Sequence, residues 1–255
     1  MKQFIKYILL IISFAFIFAG CKKTSVPSTT GIVKLSFRNI VNGSPMVLNT
    51  ANYTNPFGEP YTITKFKYYI SNVRLGLSGV PTTAIEKDSY HLVDQSQPGS
   101  LSFSFDAEEN NFVTLSFMIG VDSIRNVSGA QTGALDPLND MFWTWSTGYV
   151  MAKMEGISPR SNQPGNIIEY HIGGFSGPNN VLKTVSMVFP AGKIVTIRQG
   201  KTSEISLDAD FNKWWQTPND ITIAQVPVCS TPGALAKKLA DNYAKMFTIT
   251  DVENY

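Results

Sequence analysis

The chain has 255 residues, 43% hydrophobic and 16% charged, enough length and apolar content for a sizeable core and too apolar for a disordered polymer. Lysine plus arginine (21) nearly balances aspartate plus glutamate (19), so the electrostatic footprint of a nucleic-acid binder is absent. Two histidines and two cysteines argue against a multi-histidine zinc site or a disulfide framework, and any metal centre must recruit other ligands.

In chain order, Lys2 and Lys6 form a basic n-region. Residues 7–19 form an apolar run that suits a signal h-region and falls short of the ~20 residues of a membrane-spanning helix. The run closes on Phe18-Ala19-Gly20-Cys21, which resembles a bacterial lipobox, although Phe18 replaces the usual small aliphatic residue. Residues 1–20 are therefore expected to be a signal peptide, with Cys21 the lipidated first residue of the mature chain. Residues 21–30, rich in Ser, Thr and Pro, read as its tether. The implied location is the bacterial cell envelope: a periplasm-facing membrane lipoprotein, with the outer membrane favoured over the inner. Cys229 would then be the only free thiol, read as a small buried apolar residue, with a soft metal ligand or an intermolecular thiol as the alternatives.

From residue 31 the chain reads as strands. Apolar residues alternate at Val33, Leu35 and Phe37, at Phe66, Tyr68 and Ile70, at Leu101, Phe103 and Phe105, and at Val113, Leu115, Phe117 and Ile119. Further strands are expected at 89–94, 148–155, 167–172, 182–189, 193–198 and 204–208. That spacing predicts an all-β, antiparallel β-sandwich of immunoglobulin or jelly-roll type, spanning 31–255 as one domain. One short C-terminal helix is predicted, with Thr231 as its cap, Pro232 in its first turn, and Leu235, Leu239 and Tyr243 on one face.

The most individual stretch is 122–156. Asn126 opens a Gly-rich, uncharged loop to Gly133, Asp136 precedes Pro137 as in a turn, and Asp140 and Met141 lead into Phe142-Trp143-Thr144-Trp145. On an extended segment Trp143 and Trp145 face one side, and Phe142 and Thr144 the other. Met141, Met151 and Met154 read as core fillers or as thioether ligands for Cu(I). Lys153 and Glu155 read as a pair on one strand. Trp214-Trp215 reads as a capping segment over the core, or else as an exposed platform for a glycan. No nucleophile elbow, phosphate-binding glycine loop or CxxCH haem site is present.

The run LDPLNDMFWTWSTGY, with Lys153-Met154-Glu155-Gly156 and Tyr170-His171-Ile172-Gly173-Gly174, closely resembles the MbnP-like family of periplasmic copper-binding proteins, of the methanobactin-associated type. The segment 55–72 and Asp241-Asn242-Tyr243 look like its Bacteroidota lipoprotein branch. The resemblance implies copper as the cofactor and His171 as a ligand. It also implies a dihaem cytochrome-peroxidase-like partner that oxidises Trp143 or Trp145, with Trp143 favoured, to kynurenine. Copper-binding branches carry a second histidine after an asparagine; here Asn126 is followed by Val127, the loop to Gly133 holds no histidine, and the paired cysteines are absent.

Intact indole nitrogen donates a hydrogen bond and does not ligate, whereas kynurenine exposes an aniline amine and a carbonyl beside His171. His91 is the candidate second imidazole, although alternation sets it opposite Tyr90 and Leu92. The expected function is a lipid-anchored, non-catalytic periplasmic copper binder built around His171 and an oxidised Trp143 or Trp145. The alternative is a metal-free interaction lipoprotein that holds a protein or small ligand through loop 126–133 and the aromatic cluster.

Overall fold

The structure is a computed structural model that describes residues 29–79, 84–86, 88–145 and 148–255. The expected signal peptide, Cys21 and the tether up to residue 28 lie outside the described residues.

The alternating segments become the strands of two facing sheets. The first sheet is built on β1 (Thr30–Val41), whose Val33, Leu35 and Phe37 point inward. The second is built on the 17-residue β2 (Pro60–Gly76). The remaining principal strands are β3 (Tyr90–Asp94), β4 (Ser102–Glu108), β5 (Thr114–Ile119), β6 (Val150–Ile157), β7 (Ile167–Gly173), β8 (Lys183–Val188), β9 (Thr202–Asp210) and β10 (Phe247–Asn254). In the first sheet β10, β9 and β1 lie side by side, with β4 also on β1. In the second the order is β8–β5–β2–β6–β7, with β3 also paired to β2.

Pairing is antiparallel except where β1 runs parallel to β9, from Ile32 opposite Thr202 to Ile40 opposite Asp210, and in the short pairing of Val228–Cys229 with β7. A parallel pair needs a long crossover. Here all the principal strands of the second sheet intervene in sequence between β1 and β9.

The inward faces meet in one core. Phe37 of β1 packs edge-on against Tyr68 of β2 and Phe117 of β5, with ring centroids 6.3 Å apart in both pairs, and lies 5.9 Å from Phe103. Trp214 and Trp215 are fully buried: Trp214 lies against Tyr243, and Trp215 against Tyr61 at 5.0 Å, so this pair caps the core and offers no exposed platform. Cys229 is buried, and desolvation pushes its thiol up to about 11, the state of an inert packing residue.

Three local expectations shift. The helix is α1 (Ala234–Tyr243) and is preceded by Gly233, with no side-chain cap, so Thr231 and Pro232 lie before it. Its inward face is nonetheless the expected one, with Leu239 and Tyr243 fully buried and Leu235 partly so. The expected strand 193–198 shortens to Val195–Ile197, paired with Asn110–Phe112. Strand β10 was not expected, because its buried residues Phe247, Ile249 and Val252 break the two-residue period where a register shift lies between Ser206 and Leu207 of β9.

Phe37→Ala removes a ring shared by both sheets. The expected loss is about 3–5 kcal/mol of unfolding free energy, read as a lowered urea midpoint with an unchanged slope.

Candidate functional site

The site lies on the outer face of the second sheet, opposite the core. Along β7 the inward residues are Ile168, Tyr170 and Ile172, which leaves Ile167, Glu169, His171 and Gly173 outward. Register then assembles the face. His171 stands opposite Lys153 of β6, Lys153 opposite Lys67 of β2, and Lys67 opposite Asp94 of β3. One row along, Glu169 stands opposite Glu155, and Glu155 opposite Lys65.

Directly and diagonally opposed side chains on one face sit close enough to interact. His171 Nε2 lies 2.9 Å from Glu155 Oε1, and its Nδ1 lies 3.7 Å from Glu169 Oε1. Lys65 Nζ pairs with Glu155 Oε2 at 3.2 Å, and Lys67 Nζ with Asp94 Oδ2 at 3.0 Å.

The segment from Asp136 to Trp145 folds over this face. Asp136 closes a short turn by accepting the Leu138 N–H at 2.9 Å, and Asp140, in the left-handed region at φ 61°, brings its carboxylate down onto two lysines. Lys65 Nζ donates to Asp140 Oδ2 at 2.7 Å, Lys153 Nζ lies 3.0 Å from the same oxygen, and Lys153 also donates to the Asp140 carbonyl. The Asn139 carbonyl accepts from Lys67 at 3.2 Å.

Lys153 is buried at 3% exposure, and desolvation lowers its pKa despite the pairing with Asp140. The hydrogen bond from His171 is the largest influence on Glu155, and with Lys65 it holds that carboxyl at about 2 against the opposing effect of burial. Burial works to raise Asp140, but its pairs with Lys65 and Lys153 prevail and hold it at about 2.

Trp143 completes the face. Its backbone N–H donates to the Gly148 carbonyl at 3.2 Å, Val150 N–H donates to the Met141 carbonyl at 2.8 Å, and Phe142 bridges Tyr149, so the aromatic block turns back on itself into β6. The six-membered ring of Trp143 lies on Gly173, where a Cβ would stand 2.4 Å from Cζ-side carbon Cη2 and 2.5 Å from Cζ3. His171 is two residues away on the same strand face, about 6.6 Å along the strand. Trp145 packs on Trp143 with ring centroids 5.2 Å apart, as their spacing predicted.

The other sequence candidates go elsewhere. His91 stands opposite Ile70, which points into the core, so it occupies the opposite face of the sheet from His171. There it stacks on Phe103 at 3.4 Å, with Nε2 bonded to Ser89 Oγ at 2.7 Å and to Glu86 Oε1 at 3.0 Å. The structure therefore does not bring His91 to His171. Asn126 is buried and spent on backbone: its amide donates to the Val121 and Asp122 carbonyls, and its Oδ1 accepts the Tyr149 N–H at 2.7 Å. Met141, Met151 and Met154 are fully buried, and Met151 Sδ accepts the Val121 N–H.

Glu155, Glu169 and Asp140 are the site residues that composition alone understates. Alternation in Lys153-Met154-Glu155 and Glu169-Tyr170-His171 places each pair on one face, but only the strand register joins the two pairs.

The profile of the MbnP family matches residues 30–231. The chain belongs to the MbnP family. Among solved structures it is similar to MbnP from Methylosinus trichosporium, with 16% sequence identity, a TM-score of 0.49, and coverage of 69% of this chain and 76% of that one. No curated protein sequence matches it.

Two tests follow from the geometry. Glu155 is held below its ordinary 4.5, so its contribution to stability is fully present above about pH 4.5 and is lost as pH falls toward 2. Glu155→Gln is expected to lower the melting temperature at pH 6 and to flatten its decline between pH 4.5 and 2, the two curves converging at the acid end. Gly173→Ala cannot coexist with the Trp143 ring in place. Displacement of the ring toward water is expected, seen as red-shifted tryptophan fluorescence with an unchanged far-UV circular dichroism spectrum.

Proposed function

We propose that this MbnP-family chain is a lipid-anchored envelope protein, facing the periplasm, that binds copper without catalysing a reaction. The proposed site is His171 with Trp143 beside it. The observation that carries the reading is the seating of the Trp143 ring on Gly173, one side-chain position from the imidazole.

Among the described residues no three His, Cys, Asp or Glu side chains converge to hold a metal, so the unmodified face supplies only part of a donor set for a borderline divalent ion. His171 offers an imidazole nitrogen, and Glu155 and Glu169 offer carboxylate oxygens at its two ring nitrogens, while the thioethers of Met141, Met151 and Met154 are buried in the core. Nitrogen and oxygen donors favour Cu(II), and the thioethers that would favour Cu(I) are fully buried. Oxidation of Trp143 to kynurenine by a dihaem peroxidase-like partner would add an amine and a carbonyl at the same place, which supplies the further donors that a second histidine would otherwise provide. Copper bound there contributes Lewis acidity and a redox couple. The chain's own residues hold and shield the ion: Glu155 orients His171, and Lys65 and Asp140 hold Glu155 and the covering segment in position.

A second reading has two observations in its favour. Lys65 and Lys153 already neutralise Glu155 and Asp140, and a groove of about 310 Å³ lined by Tyr90, Asp94, Phe103, Gly133 and Asn139 runs beside the Gly-rich loop. That arrangement suits a metal-free module that holds a small ligand or a partner.

Titration with Cu(II) and Cu(I) separates the two. Roughly one Cu(II) per chain is expected, with Cu(I) bound more weakly. His171→Ala abolishes retention, and Glu155→Gln weakens it about 10-fold. Peptide mapping of protein from the native host is expected to place the kynurenine mass change on Trp143. Absence of copper retention in both oxidation states, with unmodified tryptophans, overturns the reading in favour of the interaction module.

A further inference from the structure

Trp143 and Trp145 form a graded pair. Trp143 is 6% exposed and Trp145 is 61% exposed, yet their rings are in contact, with centroids 5.2 Å apart and planes tilted by 40°. Burial of a large aromatic is ordinary; leaving a second indole in water while it stacks on a buried one is not explained by core packing. Indole is among the most readily oxidised side chains, and electronic coupling between two π-systems is strongest at van der Waals contact. A bulky oxidant can reach the outer ring and cannot reach the inner one.

We propose that Trp145 is the entry point for oxidising equivalents to Trp143, the two indoles forming an electron relay. The oxidant class is a high-potential one-electron acceptor carried on a protein or a large metal complex. In the first step it takes one electron from Trp145, leaving an indole radical cation. In the second, Trp143 gives one electron to Trp145 and restores it. The pair has then lost one electron and the oxidant has gained one; no bond forms or breaks, and no proton moves in either step. The direction has an electrostatic cause. The face on which Trp143 is seated carries Glu155, Glu169, Asp140 and Asp94 against Lys65, Lys67 and Lys153, so its carboxylates outnumber its lysines by one and favour positive charge on the inner ring. The relay rests on the reading of Trp143 as the residue that is oxidised; it requires no bound copper.

The test uses the mature protein with photogenerated tris(bipyridine)ruthenium(III) in air-saturated buffer, and peptide mapping to find which indole acquires oxygen. In the unaltered protein the oxygen is expected on Trp143. Trp145→Phe, which removes the oxidisable outer ring at an exposed position, is expected to cut Trp143 oxidation at least fivefold, and Trp145→Tyr to restore more than half of it. A smaller fall in Trp145→Phe, no rescue by tyrosine, or oxygen confined to Trp145 in the unaltered protein overturns the relay. Circular dichroism confirms that each variant is folded. Copper retention by the unaltered protein, measured separately, reports on the copper reading alone, so failure of either proposal is visible without the other.

Discussion

The site depends on the register of β6 between β2 and β7. Side chains alternate with a period of two, so a one-residue slip of β6 would turn Lys153 and Glu155 into the core and bring Ala152 and Met154 out to the face. The observed register is held from the other side of the sheet, where Met154 is fully buried next to Phe66 and Tyr170 on the neighbouring strands. Hydrophobic burial on the inner face thus dictates which charges meet on the outer one.

Those charges are arranged so that few of them stand alone in a poorly solvated place. Exposed ion pairs contribute little to stability, and pairs such as Arg38 with Asp208 on the first sheet belong to that class. Lys153 is different, because its ammonium is buried and must be matched; Asp140 meets it with both its carboxylate and its backbone carbonyl. The covering segment is therefore fastened by charge to the sheet, and Asn126 fastens its two ends by joining Val121 and Asp122 to Tyr149. The Gly-rich loop is also part of the route by which the chain carries Trp143 to Gly173.

Gly173 is the point at which backbone and aromatic block become one structure. Its outward position on β7 would in any other residue carry a side chain, and the missing Cβ is the space that the six-membered ring of Trp143 fills. Because His171 occupies the previous outward position on that strand, the same contact that seats the indole also sets its distance from the imidazole.

Much of the fold was legible in the sequence, since alternation at Val33–Leu35–Phe37, Phe66–Tyr68–Ile70 and Leu115–Phe117–Ile119 follows from one face of each strand being buried. Strand β10 was not, because a register shift in its pairing disturbs the two-residue period that reveals a strand. The resemblance carried by the MFWTW block and by Tyr170-His171-Ile172-Gly173-Gly174 identified the family and pointed to His171 and Trp143. Alternation alone did not tell His91 from His171, both strand histidines; their faces follow from pairing with Ile70 in one case and Lys153 in the other. The sequence by itself determined the sandwich, the family and the aromatic block, because burial period and motif are properties of contiguous residues. Only the tertiary structure decided that Glu155 and Glu169 meet His171 and that Lys65 ties Glu155 to Asp140, because residues far apart in the chain become neighbours only when strand register and a covering loop bring them together.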